Sequence, residues 1–327
     1  MFTRLAYFRF FLAMSVVVFH LWRPIAPQAG RVAVMMFFFI SGYLIAKLLS
    51  EAYKDRAKAF ITNRFLRIYP IYWACAIFAF VVVLTIPEVA KTTNGAMDLP
   101  KTASNLFGNL IIFGQQGNPQ RFLPPSWSLH VELVWYVLLF ILYTAVEKFR
   151  VPVLMSFMIM PFIWAWMSNA PYYGNWIASG YAFALGALRY EFKGKIPTII
   201  EWAAVLALPV ILFATPLLFD LKGGSPKDIW SWLNLWVGPY VLFMAFGFFL
   251  KSTKRSMMAD WAGSLSYPVF LVHWPCAALA TAMGAERWLE RFLVGTIITL
   301  IVSALVVAFV EEPLKARRTA IRKWNAA

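Results

Sequence analysis

Arg9 and His20 stand eleven residues apart inside the first long apolar stretch of the chain. Ionisable side chains are costly in hydrocarbon, so their presence there marks function by default. At about 100° per residue, eleven steps close three turns with roughly 20° left over, which puts both side chains on one helix face about 16 Å apart along the axis. That face offers a fixed cation near one membrane surface and, deeper in, an imidazole able to take up a proton.

Further residues suit related chemistry. Arg64 and Arg67, three apart in the stretch Asn63 to Pro70, share a helix face, and paired guanidiniums match phosphate oxygens in a way lysines do not. Ordinary cytoplasmic charge bias and lipid headgroup contact explain the same residues without a ligand. Glu132 follows Trp127 by five residues, about 7–8 Å below a membrane boundary set at that tryptophan. His20 is expected at a similar depth, so the two are expected to face each other. A carboxylate there holds the imidazole tautomer and raises its basicity, as a purely structural ion pair also does. His130 points about 160° away from Glu132 and reads as interfacial. Ser41 and Gly42 interrupt a bulky run, either to let helices approach closely or to line a channel. His273, in a later apolar stretch, reads as support from a neighbouring helix.

The elements that must position these residues are membrane helices. Of 327 residues, 61% are hydrophobic and 14% charged. Apolar segments recur at 5–22, 31–49, 69–87, 127–147, 151–170, 175–192, 198–218, 231–250, 261–283 and 291–311, most of them long enough to cross about 30 Å of hydrocarbon. The expected fold is an all-α integral membrane protein of about ten transmembrane helices, one domain over residues 1–327, with no appended soluble domain. Placing the N-terminus inside puts 21 of the 30 basic residues on the cytoplasmic side, and an even number of spans keeps both termini there.

The net charge of +15 is thereby explained by inner loops and the tail, without nucleic acid. Cys75 and Cys276 fall within spans, lack metal-ligand or CxxC spacing and read as packing. No small-x-small cleavage site follows the first apolar run, which is therefore expected to be a retained helix. The polar segment from Pro87 to Ser126 either lines an outward-facing cleft or merely connects. Trp164, Trp166, Tyr172, Tyr173 and Trp176, with Trp230, Trp232 and Trp236, read as an interfacial aromatic belt.

In order along the chain, Arg-x10-His, FFxxSGYL, RxxRIYP, WSLxxE, SYPxFLVH and EEP resemble the membrane acyltransferase family 3, integral O-acyltransferases of bacterial polysaccharide and lipopolysaccharide modification. The resemblance implies transfer of an acetyl group from cytoplasmic acetyl-CoA, as acyl-donor substrate, to a hydroxyl of an extracytoplasmic glycan: exopolysaccharide, O-antigen or a lipid-linked precursor. It implies a multi-pass protein of the bacterial inner membrane, with no metal. Arg9, Arg64 and Arg67 are then expected to hold the nucleotide phosphates. His20 acts as general base assisted by Glu132, or is itself acylated. Ser41, Tyr43 and Ser128 are candidate donors to the developing oxyanion, and His273 a supporting residue. A proton-coupled transporter and a glycolipid acyltransferase are the competing readings.

Overall fold

Backbone amides and carbonyls have no water to bond in hydrocarbon, so an apolar chain must satisfy them within helices. The computed structural model describes residues 2–22, 29–159, 163, 176–192, 194–214, 229–251, 254 and 256–323, and among these every regular element is helical. Among the described residues, six helices are long and apolar enough to cross a membrane. They are α1 (Thr3–Leu21), α2 (Ala29–Lys47), α3 (Ala57–Thr85), α6 (Ser126–Thr144), α11 (Met257–Ala282) and α12 (Trp288–Val306). Between and after them run α4 (Pro87–Thr93), α5 (Ala103–Ile111), α7 (Arg150–Ser156), α8 (Gly180–Glu191), α9 (Thr198–Pro209), α10 (Ile229–Leu250) and α13 (Glu312–Lys323). The expected spans at 151–170, 175–192 and 198–218 run partly into residues outside the described set, and the aromatic side chains of 164–173, 230 and 232 also lie outside it.

Lipid tails are as apolar as leucine, so helices associate in them through close packing rather than through burial from water. The tightest approach is between α2 and α8. A Cβ on Gly42 would collide with the Phe183 carbonyl, and one on Gly186 with the carbonyl of Phe39, so these two glycines are where the backbones touch. Of the small pair in the second span, Gly42 thus serves packing. Gly42→Ala is expected to destabilise the protein by about 1–3 kcal/mol, the usual cost of overpacking. Thermal unfolding in detergent measures this, and an unchanged midpoint would show that the helices can separate freely. Elsewhere α1 packs on α11 and α2, α11 on α12 and α3, and α9 on α10.

The segment after α4 does not stay at the surface. Tyr69, Tyr72 and Trp73 lie on one face near the middle of α3, and their side chains donate to the carbonyls of Ile111, Asn109 and Leu110 at 2.7, 2.8 and 2.8 Å. These are the orphan carbonyls that end α5. α5 therefore dips to the middle of α3, with Leu106, Phe107 and Leu110 exposed on its outer face. The chain reverses at Ile112, whose φ of 69° is rare for a β-branched residue, and at Gly114 with φ 83°. Its return strand of irregular backbone is satisfied internally: the Asn109 amide donates to the carbonyls of Asn105 and Gln120, Asn109 Oδ1 accepts from the Phe122 amide, and Ser126 donates to Gln115. Irregular backbone at such depth is tolerated only when buried in protein in this way. His130 belongs to this arrangement, its Nδ1 accepting from the Gly114 amide at 3.2 Å.

The dip sets the depth of α6. Phe140 stacks on Phe60 and Phe122 packs on Phe80, so α6 runs antiparallel to α3 and Ser126 is level with about residue 74. That is eleven residues, about 16 Å, short of the outer end of α3 at Thr85.

Candidate active site

Arg9, Ser41, Arg64, Arg67, Ser128 and Glu132 all line one cavity of about 980 Å³. It lies between the start of α1, the end of α2, the start of α3, the middle of α6, the first half of α11 and the start of α13. Six residues expected from sequence to act on substrate or support it are thus brought together from four helices. Seven basic and four acidic side chains line the walls, a net positive interior. Its volume is at the upper end of the range for small-molecule and cofactor pockets.

Glu132 is fixed from both sides. Its Oε1 accepts from Ser41 at 2.6 Å and from the Tyr136 hydroxyl one helical turn further along α6. It also interacts electrostatically with Arg9 and Arg64. Arg64 bonds Asn63 at 3.1 Å. Arg67 lies 3.4 Å from Glu311, a carboxylate only 2% exposed at the end of the π-type turn Val307–Glu311 that links α12 to α13. Such turns recur at functional sites because they re-aim a side chain out of the ordinary helical register.

His20 lies elsewhere. Its ring stacks on His273, with centroids 5.2 Å apart and planes 13° from parallel, and touches Trp274 and Phe19. His273 is fully buried. Its Nδ1 is 2.8 Å from the Phe270 carbonyl, which can only accept, so Nδ1 carries the proton and Nε2 the lone pair. α2 runs antiparallel to α1, and Gly30 abuts Phe19 beside His20. Ser41, eleven residues further on, is therefore about 16 Å lower. Glu132 shares that lower level with Arg9, and the expected His20–Glu132 pair is not formed. The reason is the dip of α5. Depth counted from the surface at Trp127 is wrong when α6 begins well inside.

The cavity nevertheless comes close to the histidines. Val34, four residues past Gly30, and Phe270, three before His273, are among its lining residues, so its upper end is about one helical turn, ~6 Å, below the histidine pair. Phe37 and Phe270 meet there with ring centroids 6.1 Å apart, an apolar roof. Ser128 lines the cavity while donating to the Pro125 carbonyl at 2.8 Å. Tyr43 packs on another face of α2, against Phe246 and Tyr190. Cys75 and Cys276 are buried free thiols.

Tyr136 and Glu311 are cavity residues not singled out from sequence for this role. Tyr136 follows Glu132 by four residues, on the same face, which is the signal that was available. The role of Glu311 depends on a contact across the chain, from α12 back to α3.

Comparison with known proteins supports an acyl-transferring role for this architecture. Over 354 aligned residues the chain is 22% identical to the peptidoglycan O-acetyltransferase OatA of Listeria monocytogenes, covering 92% of this chain and 54% of that protein. It is 29% identical over 127 residues to the acyltransferase MdmB of Streptomyces mycarofaciens, covering 37% of this chain and 30% of that one. The chain thus spans about half the length of OatA and less of MdmB. No solved structure matches it. The acyltransferase-domain family model matches residues 2–308, and the chain with its helical bundle and arginine-lined cavity belongs to the membrane acyltransferase family 3.

Proposed function

We propose that this membrane O-acyltransferase moves an acetyl group from acetyl-CoA on the cytoplasmic side of a bacterial inner membrane to a hydroxyl of an extracytoplasmic glycan. About ten spans with both termini inside give the orientation this requires, and 21 of 30 basic residues then face the cytoplasm. The observation that carries the reading is the net-positive cavity at the basic end of the bundle, reaching to within about one turn of His20. Arg9, Arg64 and Arg67 hold phosphates below, and the narrow pantetheine arm climbs past Ser41 and Glu132 toward the histidine pair. The roughly 16 Å between Arg9 and His20 fits an extended arm rather than a nucleotide.

At the top, neutral His20 takes the proton of the acceptor hydroxyl as its oxygen attacks the thioester carbonyl. The new C–O bond forms, the C–S bond breaks, and the imidazolium returns its proton to the departing thiolate. His273, stacked against His20, holds the ring's orientation. Glu132 serves below, orienting Ser41 and Tyr136 and balancing the arginines. The acceptor class is a glycan, in line with the name of the peptidoglycan O-acetyltransferase OatA.

Calorimetry of acetyl-CoA against the purified chain in lipid nanodiscs tests the donor half. Saturable binding is expected. Absence of binding by folded protein would overturn the reading.

A further inference from the structure

Four polar atoms on the cavity side of the bundle are buried with no hydrogen-bond partner: Nε of Arg64, Nε and Nη1 of Arg318 and the hydroxyl of Tyr53. All three residues line the same cavity, and the charges of Arg64 and Arg318 both act on Tyr53. Tyr53 is 1% exposed. Burial raises its pKa, against the pull of Arg64, so the hydroxyl is a neutral donor. Glu311 is only a distant counter-ion to Arg318, at 3.8 Å, and is shared with Arg67. Buried donors without acceptors are costly, and a cluster of them calls for an anion.

The chain also fixes where this cluster sits. Arg318 is on α13, which is fastened onto the start of α3 by Asn63 donating to the Arg318 carbonyl at 2.9 Å and Arg56 donating to the carbonyls of Ile321 and Arg322 at 3.0 and 3.3 Å. Tyr53 comes from the turn between α2 and α3, and Arg64 from α3 itself. Three separate segments therefore present donors to one place, at the end of the cavity away from His20.

We propose that Arg318, Arg64 and Tyr53 form a phosphate clasp for the nucleotide end of the acyl donor, with α13 as its closing arm. This rests on the reading of the cavity as an acyl-CoA site. It adds two residues and a C-terminal helix to donor recognition, and makes the guanidinium of Arg318 a binding group rather than a topological charge.

The test is calorimetry of CoA and of pantetheine, which lacks every phosphate, against wild type, Arg318→Gln and Tyr53→Phe in phosphatidylcholine nanodiscs. The Kd for CoA is expected to rise about 10- to 100-fold in Arg318→Gln and several-fold in Tyr53→Phe, as for lost charge-assisted and neutral bonds respectively. The Kd for pantetheine is expected to stay unchanged in both. CoA affinity unchanged in the variants, or pantetheine affinity falling in step, would overturn the clasp while leaving the donor reading intact. No CoA binding by wild type would overturn the donor reading itself, and the clasp with it. Should Arg318→Gln fail to fold, the nearly isosteric Tyr53→Phe decides alone. A repeat with phosphatidylglycerol separates a lipid source. CoA binding weakened by that lipid in wild type but not in Arg318→Gln would assign the site to a headgroup and overturn the proposal.

Discussion

His20→Ala is expected to lower acyl transfer by about two to four orders of magnitude, the usual contribution of a positioned general base, while leaving acetyl-CoA affinity close to that of wild type. The split follows from geometry. His20 lies about one turn above the upper lining of the cavity, in contact with His273, Trp274 and Phe19. On the proposed mechanism its loss removes proton transfer without touching the groups assigned to the donor. Transfer of labelled acetyl to a soluble glycan acceptor, measured beside donor binding on the same preparation, reads both quantities. Full activity in correctly inserted His20→Ala protein would move the base elsewhere, with Glu132 the next candidate. Parallel loss of binding and transfer would mean that His20 acts on the fold.

The double substitution Arg64→Ala with Arg67→Ala is expected to raise the Kd for acetyl-CoA by at least about 100-fold, since each charge-assisted bond is worth roughly 1.5–3 kcal/mol. Both guanidiniums line the cavity. Their removal leaves Glu311 with Arg318 as its remaining ion-pair partner, so the protein keeps a compensated carboxylate. Conversion of both to lysine should restore only part of the affinity, because an ammonium supplies charge without the bidentate fork. Calorimetry measures the series. A double-alanine variant that binds like wild type would reduce these arginines to topological charges.

The apolar periodicity and the motif residues made most of the helices and the membership of the cavity legible in the sequence. Arg9, Arg64, Arg67, Ser41, Ser128 and Glu132 come from four helices yet were each marked by residue type and local spacing. Three things were not legible. The first is the depth of α6, which depends on Tyr69, Tyr72 and Trp73 drawing the end of α5 into the middle of the bundle. A polar stretch of this length reads as surface because its internal bonds, such as Asn109 to Gln120 and Phe122, join residues more than ten apart. The second is the division of labour within the Ser41–Gly42 pair. Only the presence of α8 shows that one residue packs and the other binds Glu132. The third is the meeting of chain ends, where Arg318 reaches the start of α3. Contacts across some 250 residues leave no local trace.

The apolar roof of Phe37 and Phe270 lies between the arginine-lined chamber and the histidine pair above it. Without it, water, carboxylate, tyrosine and imidazole would succeed one another along the bundle axis as a ready conductor of protons, and an enzyme of this design would drain the gradient of the membrane it serves. Two aromatic rings break that chain of hydrogen bonds. On the proposed acyl-CoA reading, the slender thioester arm would take their place as an insulator, so that an acyl group would cross with the membrane electrically sealed.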